Sequence, residues 1–350
     1  MEIREQVALA GYTTFGVGGA ARYFAEARYE GDVAEAVRWA DERGLPLFLL
    51  GGGSNLLVPD EGFDGLVLHM GIAGVEGDEA GGFDVGAGES WDGTVARTVA
   101  QGFAGVECLA GIPGSVGGTP VQNVGAYGQE VSETIVSVRV FDRKHRQFVE
   151  MSNAECGFRY RESVFNTTQR GRYIVTRVRF QLRPGGEATL KYADLRAWFG
   201  EDKNLDAKFA EGAKFREGKP TLGEVAEAVR EIRLGKGMLI VPGDADSRSA
   251  GSFFKNPIVT VEVAEEIPGI PRWGAGEGLV KLPAAWLLER AGFAKGYGSG
   301  AVRISSRHTL ALTNRGGATF ADVVAMEKEI VAGVEAKFGV RLEREPVVLG

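Results

Sequence analysis

Residues 251–257 read Gly-Ser-Phe-Phe-Lys-Asn-Pro, and their side-chain types suit proton transfer in a dry pocket. Gly251 lets backbone come close to a ligand. Ser252 offers a hydroxyl that gives or takes a proton. Phe253 and Phe254 exclude water, Lys255 and Asn256 supply donors, and Pro257 stiffens the exit. A loop that merely anchors two aromatic rings in a core fits these seven residues equally well, so other segments must decide.

Two glycine-rich loops bear on that choice. The apolar run Leu45-Pro46-Leu47-Phe48-Leu49-Leu50 reads as a buried strand and opens into Gly51-Gly52-Gly53-Ser54-Asn55. Successive glycines let amide N–H groups converge on phosphate oxygens, and Ser54 and Asn55 add donors. No Gly-Lys-Ser/Thr follows, so this is not a P-loop; no G-x-G-x-x-G with a following helix is present either. A tight turn between strands is the plain alternative. The second loop holds Gly111, Ile112, Pro113, Gly114, Ser115, Gly117 and Gly118, and continues through Gln122-Asn123-Val124-Gly125-Ala126-Tyr127-Gly128. Nearly twenty residues without periodicity are unusual inside a compact domain, and such loops are usually functional. Two cradles about sixty residues apart suit a dinucleotide better than a mononucleotide.

The elements that must position these loops follow from spacing. Helices are expected at Asp32–Arg43 (with Asp32 as cap), Trp91–Gln101, Leu222–Leu234, Pro283–Ala291 and Phe320–Phe338. Strands are expected at Leu66–Leu68, Phe83–Val85, Ile135–Phe141, Gln147–Glu150, Tyr173–Leu182, Thr309–Thr313 and near Val347. Charge rises over Gly200–Pro220, which reads as a linker or excursion between domains. The pattern is α+β, and 350 residues require two or three domains.

Composition narrows the function. Hydrophobic content of 44% with 25% charge is that of a soluble globular protein, and a net charge of −7 argues against nucleic acid. The 52 glycines are about twice the usual share of roughly 7%, and they cluster rather than repeat. Cys108 and Cys156 make no disulfide framework, and His69, His145 and His308 lack metal-ligand spacing, so no metal is expected. No run approaches the length of a membrane span and no charged-then-apolar signal segment opens the sequence; a cytoplasmic protein is the expectation. His308 precedes a strand, where a lone histidine is more often structural.

The loops resemble those of the FAD-binding superfamily typified by vanillyl-alcohol oxidase and p-cresol methylhydroxylase. Across nearly its full length the chain is similar to the UDP-N-acetylenolpyruvoylglucosamine reductase family. The matching segments are Thr13-Thr14-Phe15-Gly16-Val17-Gly18-Gly19, Gly51–Asn55, Gly86-Ala87-Gly88, Gly111–Gly128, Tyr160-Arg161-Glu162-Ser163-Val164-Phe165, Gly251–Pro257 and Leu342-Glu343-Arg344-Glu345-Pro346. The resemblance implies a two-part FAD-binding domain over residues 15–188, with subdomains of roughly 1–65 and 66–188. It also implies a smaller α+β substrate-binding domain over 205–350, whose end returns to the flavin site. It implies that NADPH reduces FAD, and that the enolpyruvyl ether of UDP-N-acetylglucosamine is then reduced to the lactyl ether in peptidoglycan precursor synthesis. Covalently flavinylated cousins carry histidine where this chain has Gly53, so the FAD is expected to be non-covalent, and the protein a monomer.

That reaction delivers hydride to the terminal methylene carbon. The neighbouring carbon then carries enolate-like charge that must be stabilised and protonated. Spacing does not choose among Arg159, Arg161, Arg170 and Arg172; the Tyr-Arg-x-Ser-x-Phe context selects Arg161 by resemblance, to hold the substrate carboxylate. Glu345 aligns as the group that donates to the enolate in neutral form, although Arg344 replaces the proline of the family's Leu-Glu-Pro-Glu and Glu343 lies close by. Ser252 becomes the proton donor. Its hydroxyl is a poor acid, so a nearby cation or water relay must assist, and Lys236 is the candidate by alignment. Tyr192 resembles a tyrosine that folds over the substrate diphosphate in one subgroup; Asn256 and Lys281 are secondary candidates for substrate or nicotinamide-phosphate contacts. The rivals are another flavoenzyme of the same fold, a hydroxy-acid or sugar-lactone oxidase, and a non-catalytic nucleotide-binding protein.

Overall fold

The computed structural model describes residues 1–200 and 218–350. The expected linker at Gly200–Pro220 lies, from 201 to 217, outside the described residues. The chain forms two compact units, 1–5 with 23–52 and 65–234, and 6–22 with 53–64 and 235–350.

In the first unit, helix α1 (Glu30–Glu42) buries Val33, Ala36, Val37 and Ala40 in one core with Leu66 and Leu68. Asp32 does not cap from outside as expected. It sits in the first turn and its carboxylate accepts the backbone N–H groups of Arg28 and Tyr29, at 2.8 and 3.0 Å. Leu47–Leu50 pairs in parallel with the strand Phe63–Met70, Leu47 opposite Leu66 and Leu50 opposite His69. Only Leu50 of the four is fully buried, so the expectation of a strand buried on both faces was too strong. A five-stranded antiparallel sheet follows, in the order Gln147–Ser152, Ile135–Asp142, Tyr173–Gln181, Gly82–Gly86, Val75–Gly77. Helix α2 (Trp91–Ala100) starts where the Ser90 hydroxyl accepts the Gly93 N–H, and Trp91 is buried in the same core. Helix α3 is Ala193–Trp198. Helix α4 (Leu222–Gly235) places Val225, Ala228, Val229 and Ile232 in this first core, so a break near residues 188–205 does not coincide with the boundary between compact units.

The second unit has its own core around Phe15, Val17, Leu57, Phe253, Phe254, Leu287 and Leu288. Its elements are helix α5 (Val261–Glu265), the three-stranded sheet Ile258–Thr260, Leu279–Lys281, Trp273–Gly276, helix α6 (Ala284–Ala291), the pair Val302–Ile304 with Leu312–Asn314, and helix α7 (Phe320–Phe338). Thr319 and Asp322 form a capping box at the start of α7, Asp60 accepts the N–H groups of Phe320 and Ala321, and Gly339 closes the helix at φ +65°. The expected strand at Thr309–Thr313 begins later because Ser305–Ala311 is a turn, closed by Ser305 N–H to Ala311 C=O at 2.8 Å. Val347–Val348 runs parallel to Leu56–Leu57.

The strands Arg4–Ala8 and Ala20–Ala27 have no counterpart in the sequence reading. Their polar and alanine-rich composition gives weak strand signals, and only pairing makes them strands. Among the described residues no helix is long and apolar enough to cross a membrane.

Candidate active site

The first unit brings the two glycine loops into contact. A Cβ on Gly52 would lie 2.6 Å from Gly114 Cα and 3.1 Å from Ser115 N, and a Cβ on Gly51 would lie 2.8 Å from Ser115 Oγ. Ser115 Oγ is buried and has no hydrogen-bond partner among the described residues. A buried hydroxyl left unpaired beside two glycines fits a ligand oxygen approaching the backbone there, as a cofactor phosphate or carbonyl would. The sequence-expected FAD therefore suits the residues present at this cradle.

Groups outside the loops hold them in place. Asp92 on α2 accepts the Gly111 N–H at 2.6 Å and pairs with Arg230 of α4 at 2.5 Å. Arg233, one turn further and almost fully buried, donates to the Gly111 carbonyl at 3.0 Å; burial pushes its basicity down, and Tyr127 hydrogen-bonds it. Trp91 N–H donates to Gly114 C=O, and Gly117 N–H to Ala87 C=O, so Ile112, Pro113 and Gly118 lie in a loop fastened at both ends. Sequence reasoning missed Asp92, Arg230 and Arg233. The signal available was the pair of arginines at i, i+3 on one helix whose other face is apolar.

Gly125–Ala126 and Gln129–Glu130 form a hairpin whose two turn residues, Tyr127 at φ +49° and Gly128 at φ +85°, are left-handed as such turns require. Arg161 docks on this segment. Its guanidinium donates to the carbonyl of Gly125 at 2.5 Å and to that of Asn123 at 3.5 Å, from a backbone at φ +59°. Left-handed arginine is strained and persists only where its surroundings over-determine it. Here Asn166 holds the Arg161 carbonyl, Ser163 Oγ bonds Val121 C=O, and buried Asn123 bonds Glu130 and the Arg159 carbonyl. Arg172 is instead committed to Asp142 at 2.7 Å. Arg161 and Arg172 thus have different surroundings, backbone carbonyls for the first and a carboxylate for the second. Tyr192, 43% exposed, meets Tyr127 edge to face with centroids 5.3 Å apart. Asn123 also went unassigned in the sequence, its type being ordinary for a loop.

In the second unit, Thr14 gathers three motifs. Its N–H donates to Gly53 C=O at 3.2 Å, and its hydroxyl reaches Ser249 C=O at 2.6 Å, two residues before Gly251. Gly53 is left-handed at φ +62°, and a Cβ there would overlap the Tyr12 carbonyl. Asn55 C=O accepts the Val347 N–H at 3.0 Å, which fixes the chain end beside Ser54 and Asn55. Residues 253–255 then pair antiparallel with 343–345: Glu345 N–H to Phe253 C=O and Lys255 N–H to Glu343 C=O, both 2.9 Å. This isolated bridge sets Glu345 opposite Phe253, the residue after Ser252. Exposed Glu343 faces Lys255 at 3.7 Å, while Arg344 pairs with Glu327 of α7. Phe253 and Phe254 are fully buried packing.

The partner that the structure gives the Ser252 hydroxyl is His308, whose Nε2 lies 3.3 Å away. The sequence reading, which judged His308 structural, did not find this pair. Lys236 follows α4 and is half-buried. Asn256 Oδ1 accepts the Ala284 N–H at 2.9 Å and so caps α6, while Lys281 sits in the three-stranded sheet opposite Ile258 and Trp273.

The turn that carries His308 is held by Asp246, which accepts from the Ser306 N–H and hydroxyl and pairs with Arg315. Burial opposes charge on Asp246, but the Ser306 hydrogen bonds and Arg315 outweigh it and bring its carboxyl down to about 2. A lowered acid stabilises the fold above its unfolded-state value and gives that up as pH falls through the folded value. Stability should therefore drop by about 2 kcal/mol between pH 5 and pH 2 through this residue. Urea denaturation of Asp246→Asn across that range should show a correspondingly shallower loss; an unchanged slope would remove Asp246 as the cause.

Comparison with known proteins gives the family. Residues 21–148 match the FAD binding domain family, and residues 243–349 match the family of the C-terminal domain of UDP-N-acetylenolpyruvoylglucosamine reductase. The UDP-N-acetylenolpyruvoylglucosamine reductase of Streptomyces coelicolor is 48% identical over 98% of this chain and 89% of its own length. That of Thermobifida fusca is 46% identical over 98% of this chain and 97% of its own. The crystal structure of UDP-N-acetylenolpyruvylglucosamine reductase from Thermus caldophilus superimposes with a TM-score of 0.67 at 28% identity, covering all of both chains. The chain belongs to the UDP-N-acetylenolpyruvoylglucosamine reductase family.

Proposed function

We propose that this protein reduces the enolpyruvyl ether of UDP-N-acetylenolpyruvoylglucosamine to the lactyl ether of UDP-N-acetylmuramate, with Arg161, Ser252 and Glu345 as the catalytic residues. FAD, reduced by NADPH and held without a covalent bond, supplies the hydride. Flavin binding is assigned to residues 15–188, through Gly51–Asn55, Gly111–Ser115, Gly117, Gly118, Gly125 and Ala126, and substrate binding largely to 205–350. Arg161 turns from its carbonyl partners to hold the substrate carboxylate in a planar fork. Neutral Glu345 donates to the enolate oxygen, and Ser252 gives its proton to the carbon beside the carboxylate. Tyr192, exposed and resting on Tyr127, closes over the diphosphate; Lys236, Asn256 and Lys281 contribute further contacts. The observation that most supports this division of labour is the pairing of residues 253–255 with 343–345.

The electron donor tests the reading. The purified protein should be yellow, release its colour on denaturation, and bleach with NADPH under anaerobic conditions. Bleaching by an α-hydroxy acid or a sugar lactone with no response to NADPH would overturn it in favour of an oxidase of the same fold.

A further inference from the structure

We infer that His308 acts through Ser252, holding its hydroxyl and replacing the proton that the hydroxyl gives up; this rests on the reading of Ser252 as the carbon's proton donor. An unassisted serine hydroxyl is a poor acid, and an alkoxide left in a water-poor site needs a proton at once. His308 Nε2 is 3.3 Å from Ser252 Oγ, within reach of transfer. The meeting is built by backbone rather than by rotamer alone. Phe253 N–H donates to Leu310 C=O at 2.7 Å, which ties the residue after Ser252 to the turn that carries His308. Within that turn, His308 N–H donates to Ser305 Oγ at 3.2 Å and its carbonyl accepts the Ala311 N–H at 3.1 Å. Asp246 anchors Ser306 beside it. The closed turn thus brings the imidazole to the Ser252 hydroxyl.

The relay moves protons only. As hydride from the reduced cofactor completes the methyl group, a C–H bond forms on the adjacent carbon and the Ser252 O–H bond breaks. The Nε2–H of protonated His308 re-forms that O–H bond. The ring is left neutral with its remaining proton on Nδ1, and water restores the other. His308 touches neither substrate nor cofactor in this scheme.

The FAD-loaded protein and its Ser252→Ala, His308→Ala and His308→Gln variants test this in separated half-reactions. Reduction by NADPH should stay within about twofold in all four, which also shows that each variant is folded. Reoxidation by the enolpyruvyl substrate should slow by about a hundredfold in both His308 variants, because glutamine can hydrogen-bond the hydroxyl but cannot pass a proton. Imidazole added to the buffer should restore part of the His308→Ala rate. Imidazole nitrogen NMR gives a readout apart from turnover: with three histidines in the chain, Ser252→Ala should shift the His308 ring signals and leave His69 and His145 in place. If Ser252→Ala slows reoxidation while the His308 variants do not, or imidazole restores nothing, the relay is wrong and the serine reading stands. If Ser252→Ala leaves reoxidation unchanged, both fall.

Discussion

Ser252→Ala leaves reduction of bound FAD by NADPH within about twofold of the parent rate and slows its reoxidation by substrate by about a thousandfold. The two half-reactions separate because only the second needs a proton on carbon. General acid catalysis is worth roughly a hundred- to ten-thousandfold, about 3 to 5 kcal/mol of barrier. The substitution removes one oxygen from a half-buried position whose backbone is set elsewhere, by Phe253 against Leu310 and Glu345. The fold and the neighbouring Phe253–Phe254 packing should therefore survive. Equal slowing of both half-reactions, read by anaerobic stopped-flow absorbance, would mean that the serine serves the cofactor site instead.

Gly52→Ala should weaken FAD binding by about ten- to a hundredfold, measured by fluorescence of flavin released on dilution. The added methyl would sit 2.6 Å from Gly114 Cα and 2.9 Å from its carbonyl carbon, and both obstacles are backbone. The second loop cannot step aside cheaply, because Trp91 N–H holds Gly114 and Asp92 holds Gly111. Overpacking at a fixed contact costs about 1–3 kcal/mol, which here falls on the cradle itself. Gly31→Ala is the comparison: exposed in α1 with nothing near its missing Cβ, it should stabilise the fold slightly and leave flavin affinity alone. Equal flavin affinity for Gly52→Ala and the parent would show that the two loops do not hold the cofactor together.

The sequence was most legible where one kind of local signal ruled. Helix α7 was expected at Phe320–Phe338 and is found there, because its capping threonine, periodic core residues and terminal glycine all agree. The paired glycine loops were legible for a similar reason: backbone that must turn sharply or approach something closely uses so much glycine. What stayed hidden depended on residues far apart in the chain. Arg233 reads as one more helix arginine until the fold buries it against Gly111, and α4 looks like the start of a C-terminal domain until its apolar face joins the first core. His308 was set aside because its position before a strand is uninformative; the turn and the pairing of Phe253 with Leu310 bring it to Ser252. The family motifs named Arg161, while its left-handed backbone and its docking on Gly125 belong to the structure alone.

The central claim is that this protein passes hydride and proton to an enolpyruvyl ether. A single turnover tests it most directly: enzyme reduced anaerobically with one equivalent of NADPH is mixed with UDP-N-acetylenolpyruvoylglucosamine, and flavin absorbance and product mass are followed together. The account predicts that the yellow colour returns as one equivalent of UDP-N-acetylmuramate appears, heavier than the substrate by two hydrogens. A flavin that stays reduced until oxygen is admitted, with the substrate recovered unchanged, would contradict it.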